Sequence, residues 1–242
     1  LDVISTAASG ALEFAILALA LNRFGGIAGW SLAEVAFLYG LVEFSFGLMD
    51  LLFSGVDPPV VSGLIRTGAL DAMLLRPVRL FVQFLGNDLV LRRLGRMVQG
   101  AAIFGLALWL NPVEWTGAKL AYLPVVVAAI TAFNGALFIA GAAICFWTVQ
   151  QVEVVNLFTY GGVMMQSYPQ HIYPQPIRLF FTYIIPGALM VYYPALFFLD
   201  KPDPLGAPLW FGFLAPAIAV LALLAAIAFF RLGLRHYAST GS

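Results

Sequence analysis

Leu64-Ile-Arg-Thr-Gly-Ala-Leu-Asp-Ala-Met-Leu-Leu-Arg-Pro77 lies between long apolar runs and decides how the chain is read. Two arginines and an aspartate interrupt the apolar pattern, a glycine stands where a turn can form, and a proline stops the segment. Such a piece is short, amphipathic and at home at a water boundary. The flanking apolar runs are roughly 20 residues each, enough to cross about 30 Å of hydrocarbon as helices. The chain is 62% hydrophobic and 10% charged, with a mean hydropathy of +0.95, outside the range of ordinary soluble domains. The short alternating segments of a β-barrel are missing. The expected class is therefore an all-α integral membrane protein forming one domain over residues 1–242. A formal net charge of zero gives no electrostatic case for nucleic acid. The lone Cys145 excludes an intrachain disulfide and a cysteine-rich metal site. Residue 1 is a leucine, so further sequence is expected upstream.

Working outward, six transmembrane helices are expected. Leu1–Leu21 is the first. Trp30-Ser31-Leu-Ala-Glu34 opens the second, because Ser31 and Glu34 can form a capping box and Trp30 can staple onto Val35. That span runs to about Phe53, and Asp57-Pro58-Pro59 ends it. Residues 60–96 hold six arginines, Arg66, Arg76, Arg79, Arg92, Arg93 and Arg96, and belong beside one membrane face. The third span covers about Met97–Leu110. Asn111 to Gly117 turns on the opposite face, and the fourth span covers about Leu120–Trp147. Its small residues, among them Gly135 and Gly141, permit close helix packing. The last span is expected over Leu209–Phe230, after the loop Asp200 to Gly206.

The stretch between, 154–199, is cut by prolines. Placing 56–96 and 231–242 inside puts eight of the twelve basic residues there, and Trp30, Trp109, Trp115 and Trp210 then fall at outer ends. A cytoplasmic C-terminus allows one crossing between 152 and 199. Val152–Ser167 is taken as that crossing and Pro174–Leu199 as two short helices that dip into the outer leaflet, giving an external re-entrant gate over 168–199. The alternative, with 177–199 crossing and 151–176 inside, has the same parity.

Several motifs resemble one family. Arg66, Thr67, Gly68-Ala69, Leu70, Asp71, Leu74-Leu75, Arg76 and Pro77 are similar to the cytoplasmic coupling segment of ABC-2 type exporter permeases. Pro174-Gln-Pro176-Ile-Arg178, Pro186 and Tyr193-Pro194 resemble the last external region of the same family. Ser167-Tyr-Pro, Ile172-Tyr-Pro, Tyr192-Tyr-Pro-Ala-Leu, Asp203-Pro-Leu-Gly and Leu91-Arg-Arg-Leu-Gly-Arg96 narrow it to a bacterial subfamily found as two different permeases with one ATPase. The resemblance implies residence in the bacterial cytoplasmic membrane, a coupling segment over 57–80 that docks on a separate ATPase, and efflux of a hydrophobic or amphiphilic substrate. ATP and Mg would be bound by that partner and not by this chain. Residues 1–242 carry no Gly-x-x-x-x-Gly-Lys-Ser/Thr motif, so motion has to come from outside.

Each candidate residue carries two readings. Arg66, Asp71 and Arg76 either dock into a groove on the ATPase or solvate a loop. Arg92, Arg93 and Arg96, about one turn apart, either reach lipid phosphates or touch the ATPase. Glu13 and Glu43 fall inside spans, where a charge costs at least ~2.5–3.5 kcal/mol unless it faces protein or water. Glu43 and Asp50 share a helix face, with Phe46 nearby. They form either an acidic path for cationic amphiphiles or carboxylates bonded to a neighbouring helix. Tyr173, Pro174, Arg178, Phe181, Pro186 and Tyr193 are candidates for an external gate. His171 and His236 are too isolated for a metal site, and Ser62 and Ser167 lack a positioned His or Lys partner, so no catalytic residue is expected. A rival reading makes Glu13 and Glu43 a proton relay in a secondary transporter or channel.

Overall fold

The computed structural model describes residues 12, 27, 29–87, 94–111, 113–150 and 153–237. Among them the chain is helical, without strands. The expected first span, with Glu13, and the pair Arg92 and Arg93 lie outside the described residues apart from Leu12.

Helix α1 covers Leu32–Phe53. The capping box forms as expected: the Ser31 amide donates to Glu34 Oε2 at 2.8 Å and the Glu34 amide to Ser31 Oγ at 3.3 Å. A 3-10 turn over Ser54–Val56 leads into α2, Pro58–Arg66. Pro58 and Pro59, expected to end the span, instead start a helix, because the first turn needs no amide donor, and helical structure continues over 32–66. Helix α3 is Ala69–Leu74 and α4 is Leu80–Asn87. Helix α5, Leu94–Leu110, has 17 residues and starts three residues before the expected span. Helix α6 runs from Gly117 to Thr148, capped by Thr116, whose Oγ1 accepts from the Lys119 amide at 3.3 Å.

The run expected to cross at Val152–Ser167 is broken into α7, Glu153–Phe158, and α8, Tyr160–Gln166. Thr159 leaves helical geometry at ψ −82°; its hydroxyl bonds back to Val155 O at 3.2 Å, an oxygen that also accepts from the Thr159 amide at 3.0 Å, the kind of back-bonding that bends a helix. Helix α9, Gln175–Leu179, continues as a wide turn to Ile184. Helices α10, Gly187–Met190, and α11, Tyr192–Phe198, follow. The two halves, 175–184 and 187–198, are bent by 66° about Pro186, which removes the donor needed for a continuous helix.

The last long helix, α12, is Ala215–His236, not Leu209–Phe230. Pro216 is tolerated only in the first turn, so Leu209–Phe213 forms a separate 3-10 turn, and no proline stops the helix before His236. Three segments, 32–66, 117–148 and 215–236, are long and apolar enough to cross a membrane among the described residues, or four if the bent pair is one span. The chain is a multi-pass membrane protein.

Two helix pairs organise the packing, α1 with α5 and α6 with α12, and α1 lies against α6. At the first pair the backbones nearly touch. A Cβ on Gly100 would stand 2.4 Å from Phe44 N, and one on Gly40 or Gly47 would meet α5 backbone at 2.6 or 2.7 Å. At Gly141 of α6 it is side chains that come close: a Cβ there would meet Val155 and Pro58 side-chain carbons at 2.5 and 2.9 Å.

Candidate functional site

The quoted segment folds as a helix, a tight turn and a second helix. Gly68 makes the turn at φ +70°, a conformation that L side chains resist. Before it, Thr67 Oγ1 donates to Gly63 O at 2.9 Å and closes the end of α2. The inner faces of α2 and α3 bury Val61, Ile65, Leu70 and Met73 with Phe84 of α4, Cys145 and Phe146 of α6, and Phe230 of α12. Burial of each such side chain stabilises by about 1.5–3 kcal/mol, so the segment is fixed to the ends of the spans. Ser62 Oγ also donates to Val149 O at 3.3 Å, and Gly55 packs so close to Phe84 O that no side chain would fit.

The opposite face is open. Arg66, Thr67, Leu74, Leu75, Arg76 and Arg79 are exposed, Leu75 to 87%. Gln83 Nε2 donates to Met73 O and to Val78 O, both at 2.9 Å, and braces the loop 75–79. Asp71 does not face the open side alone: Tyr237 Oη donates to its Oδ1 at 3.0 Å. Desolvation and that hydrogen bond raise the Tyr237 pKa above its ordinary value. Neither Gln83 nor Tyr237 stands out in the sequence, because 10 and 166 residues separate them from their partners.

Inside the α1–α5 pair, Arg96 Nε donates to Glu43 Oε2 at 2.7 Å and Arg96 Nη2 to Oε1 at 3.0 Å. The guanidinium also lies 4.2 Å from the Phe46 ring centroid, a cation–π contact. The reading of Arg96 as a side chain reaching outward to lipid is thereby corrected: one turn into α5, it turns to the buried carboxylate instead. The available signal was Glu43 inside a span, where a charge needs a partner, with an arginine at the start of the next apolar run. Of the acidic-path candidates, Glu43 is engaged by Arg96, Phe46 is buried and Asp50 is half-buried.

At the other end of the molecule two adjacent residues hold two helix starts. Asp200 pairs with the buried Lys119 of α6. Lys201 Nζ donates to Glu34 Oε1 and Oε2 at 2.8 and 3.0 Å and to Gly29 O at 2.9 Å. Tyr192 Oη donates to Asp203 Oδ1 at 3.1 Å and lies 3.4 Å from His171 Nδ1. The gate candidates are spread along this region. Pro186 forms the bend, Tyr193 is buried against Phe211, and Phe181 packs on Phe180. Arg178 is half-buried beside Tyr183 in a small cleft, whereas Pro174 is exposed and Tyr173 half-buried. Of the gate candidates, Arg178 and Tyr193 line that cleft together.

Among the described residues no cluster of His, Cys, Asp and Glu could hold a metal ion. No curated protein and no solved structure matches the chain. A family model described as ABC-2 family transporter protein matches residues 8–241, nearly all of the sequence whose turn, exposed rim and anchored inner face are described above, and the chain therefore belongs to that family.

Proposed function

We propose that this chain is a permease subunit of an ATP-driven exporter, in which α2, the Gly68 turn and α3 receive the stroke of a separate ABC ATPase. The observation that carries this reading is the two-sided build of residues 58–79. One side is buried against α6 and α12; the other presents Leu74, Leu75 and Arg76 to solvent. A contact made on the open side is transmitted to the spans because packed interiors deform little.

In the full reading six segments cross the bilayer: 1–21, α1, α5, α6, the kinked run 153–166 and α12. The basic end faces the cytoplasm of a bacterial inner membrane, and the bent pair 175–198 acts as the external gate. Two permeases, non-identical by the subfamily resemblance, enclose a path for a hydrophobic or amphiphilic substrate, with lipid around them. ATP and Mg belong to the partner, and the chain itself performs no catalysis. Nucleotide shifts the permeases between inward and outward forms to the extent that it binds the two arrangements differently. The proton-relay reading gains nothing from Glu43, whose carboxylate is held by Arg96 at both oxygens.

The test is co-purification in nanodiscs with the ABC ATPase encoded beside this chain, comparing the native protein with Leu75→Asp/Arg76→Glu. Both residues are exposed, so the fold should survive, as size exclusion and circular dichroism would verify. Loss of the ATPase from the variant is expected. An ATPase retained equally by both forms, or absent from both, would overturn the proposal.

A further inference from the structure

We infer that the cleft between α11 and the loop 200–213 binds an amphiphilic organic cation. This inference rests on the permease reading only for its place in transport; binding itself is a property of this chain.

The cleft has a volume of about 610 Å³, within the roughly 300–1,000 Å³ typical of small-molecule sites. Its wall is aromatic: Phe197 and Phe213 stand 4.9 Å apart in an edge-on arrangement, and both lie against Tyr122. Tyr122 is itself fixed, donating from its hydroxyl to Gly212 O at 2.7 Å. Aromatic faces attract cations through their quadrupole and offer apolar area to the rest of a ligand.

The mouth carries a carboxylate in a constrained position. Asp200 adopts φ +50°, an uncommon backbone state for a residue other than glycine. Its Oδ2 is held by Lys119, while the side chain remains 63% exposed. The carboxylate is thus oriented by a buried cation and still faces water. The other charges on the rim are already engaged: Lys201 bonds Glu34, and Asp203 accepts from the amides of Leu205 and Ala207 and from Tyr192. An oriented, water-facing carboxylate beside an edge-on aromatic pair suits a cation with an apolar body, such as a quaternary ammonium or a phosphonium.

The test uses the permease alone in nanodiscs, without ATPase, and measures equilibrium binding of tetraphenylphosphonium and of neutral triphenylphosphine oxide. Leu209, 93% exposed at the rim, provides variants that leave the fold and the Asp200–Lys119 pair intact. Leu209→Glu should tighten the cation and Leu209→Arg weaken it, each by about two-fold at a separation near 8 Å in a solvated setting at low salt. The neutral probe should not respond. Opposite shifts confined to the cation support the site, and a merely structural change would not produce them. Absent binding, or binding of both probes that ignores the sign at position 209, overturns it. The permease reading would stand or fall separately, on ATPase co-purification.

Discussion

Removing Arg96 should destabilise the protein far more than removing Arg96 and Glu43 together. Glu43 is enclosed in the α1–α5 contact with its side chain 9% exposed, and Arg96 reaches it with two short hydrogen bonds from a side chain that is 28% exposed. At a charge separation near 4 Å, an effective dielectric of about 20 gives an attraction of about 4 kcal/mol, reduced here by the water that reaches Arg96. Arg96→Met leaves a buried carboxylate without its counter-charge, a change that costs about 3–5 kcal/mol in buried pairs. The double variant Glu43→Leu/Arg96→Met removes both desolvation penalties and keeps the volume, so it should fall within about 1–2 kcal/mol of the native protein. The assay is reversible unfolding in mixed micelles followed by circular dichroism, with Glu43→Leu completing the cycle. A coupling of at least about 2 kcal/mol is expected. Additive losses would refute the reasoning, since they would mean that the two groups do not sense each other in the folded state.

Gly100→Leu should separate α1 from α5, because even a Cβ there meets Phe44 N at 2.4 Å. A loss of about 1–3 kcal/mol is expected from overpacking, measured by the same unfolding assay, whereas Gly105→Leu, with open space around it, should be near neutral. Tyr237→Phe removes one hydroxyl bond between the last helix and Asp71. It should cost about 0.5–1.5 kcal/mol and raise hydrogen exchange in 69–74 without melting α6; unchanged exchange there would count against the link. Gln83→Leu leaves Met73 O and Val78 O without their shared donor, so faster proteolysis in 75–79 is expected, with intact mass as the readout.

How much could be read beforehand differs from element to element. The capping box at Ser31 and Glu34 was legible because both partners lie within four residues and the bond is local. The turn at Gly68 was legible for the same reason. The starts of α2 and α12 were less so. Pro58 was read through its power to end a helix and Pro216 was passed over inside the expected span Leu209–Phe230, whereas at both places the proline occupies the first turn of a new helix. The break at Thr159 was not legible, because threonine carries no strong stop signal.

By itself the sequence determined the membrane class, the long apolar helices, the Gly68 turn and the family, since these depend on hydropathy, local hydrogen bonding and contiguous motifs. Only the tertiary structure decided that Arg96 turns inward to Glu43, that Tyr237 reaches Asp71, and that Asp200 and Lys201 hold the starts of two different helices. The physical reason is separation along the chain. Partners 53, 166, 81 and 167 residues apart become neighbours through helix packing, and a charge at membrane depth states that it needs a partner without stating which one.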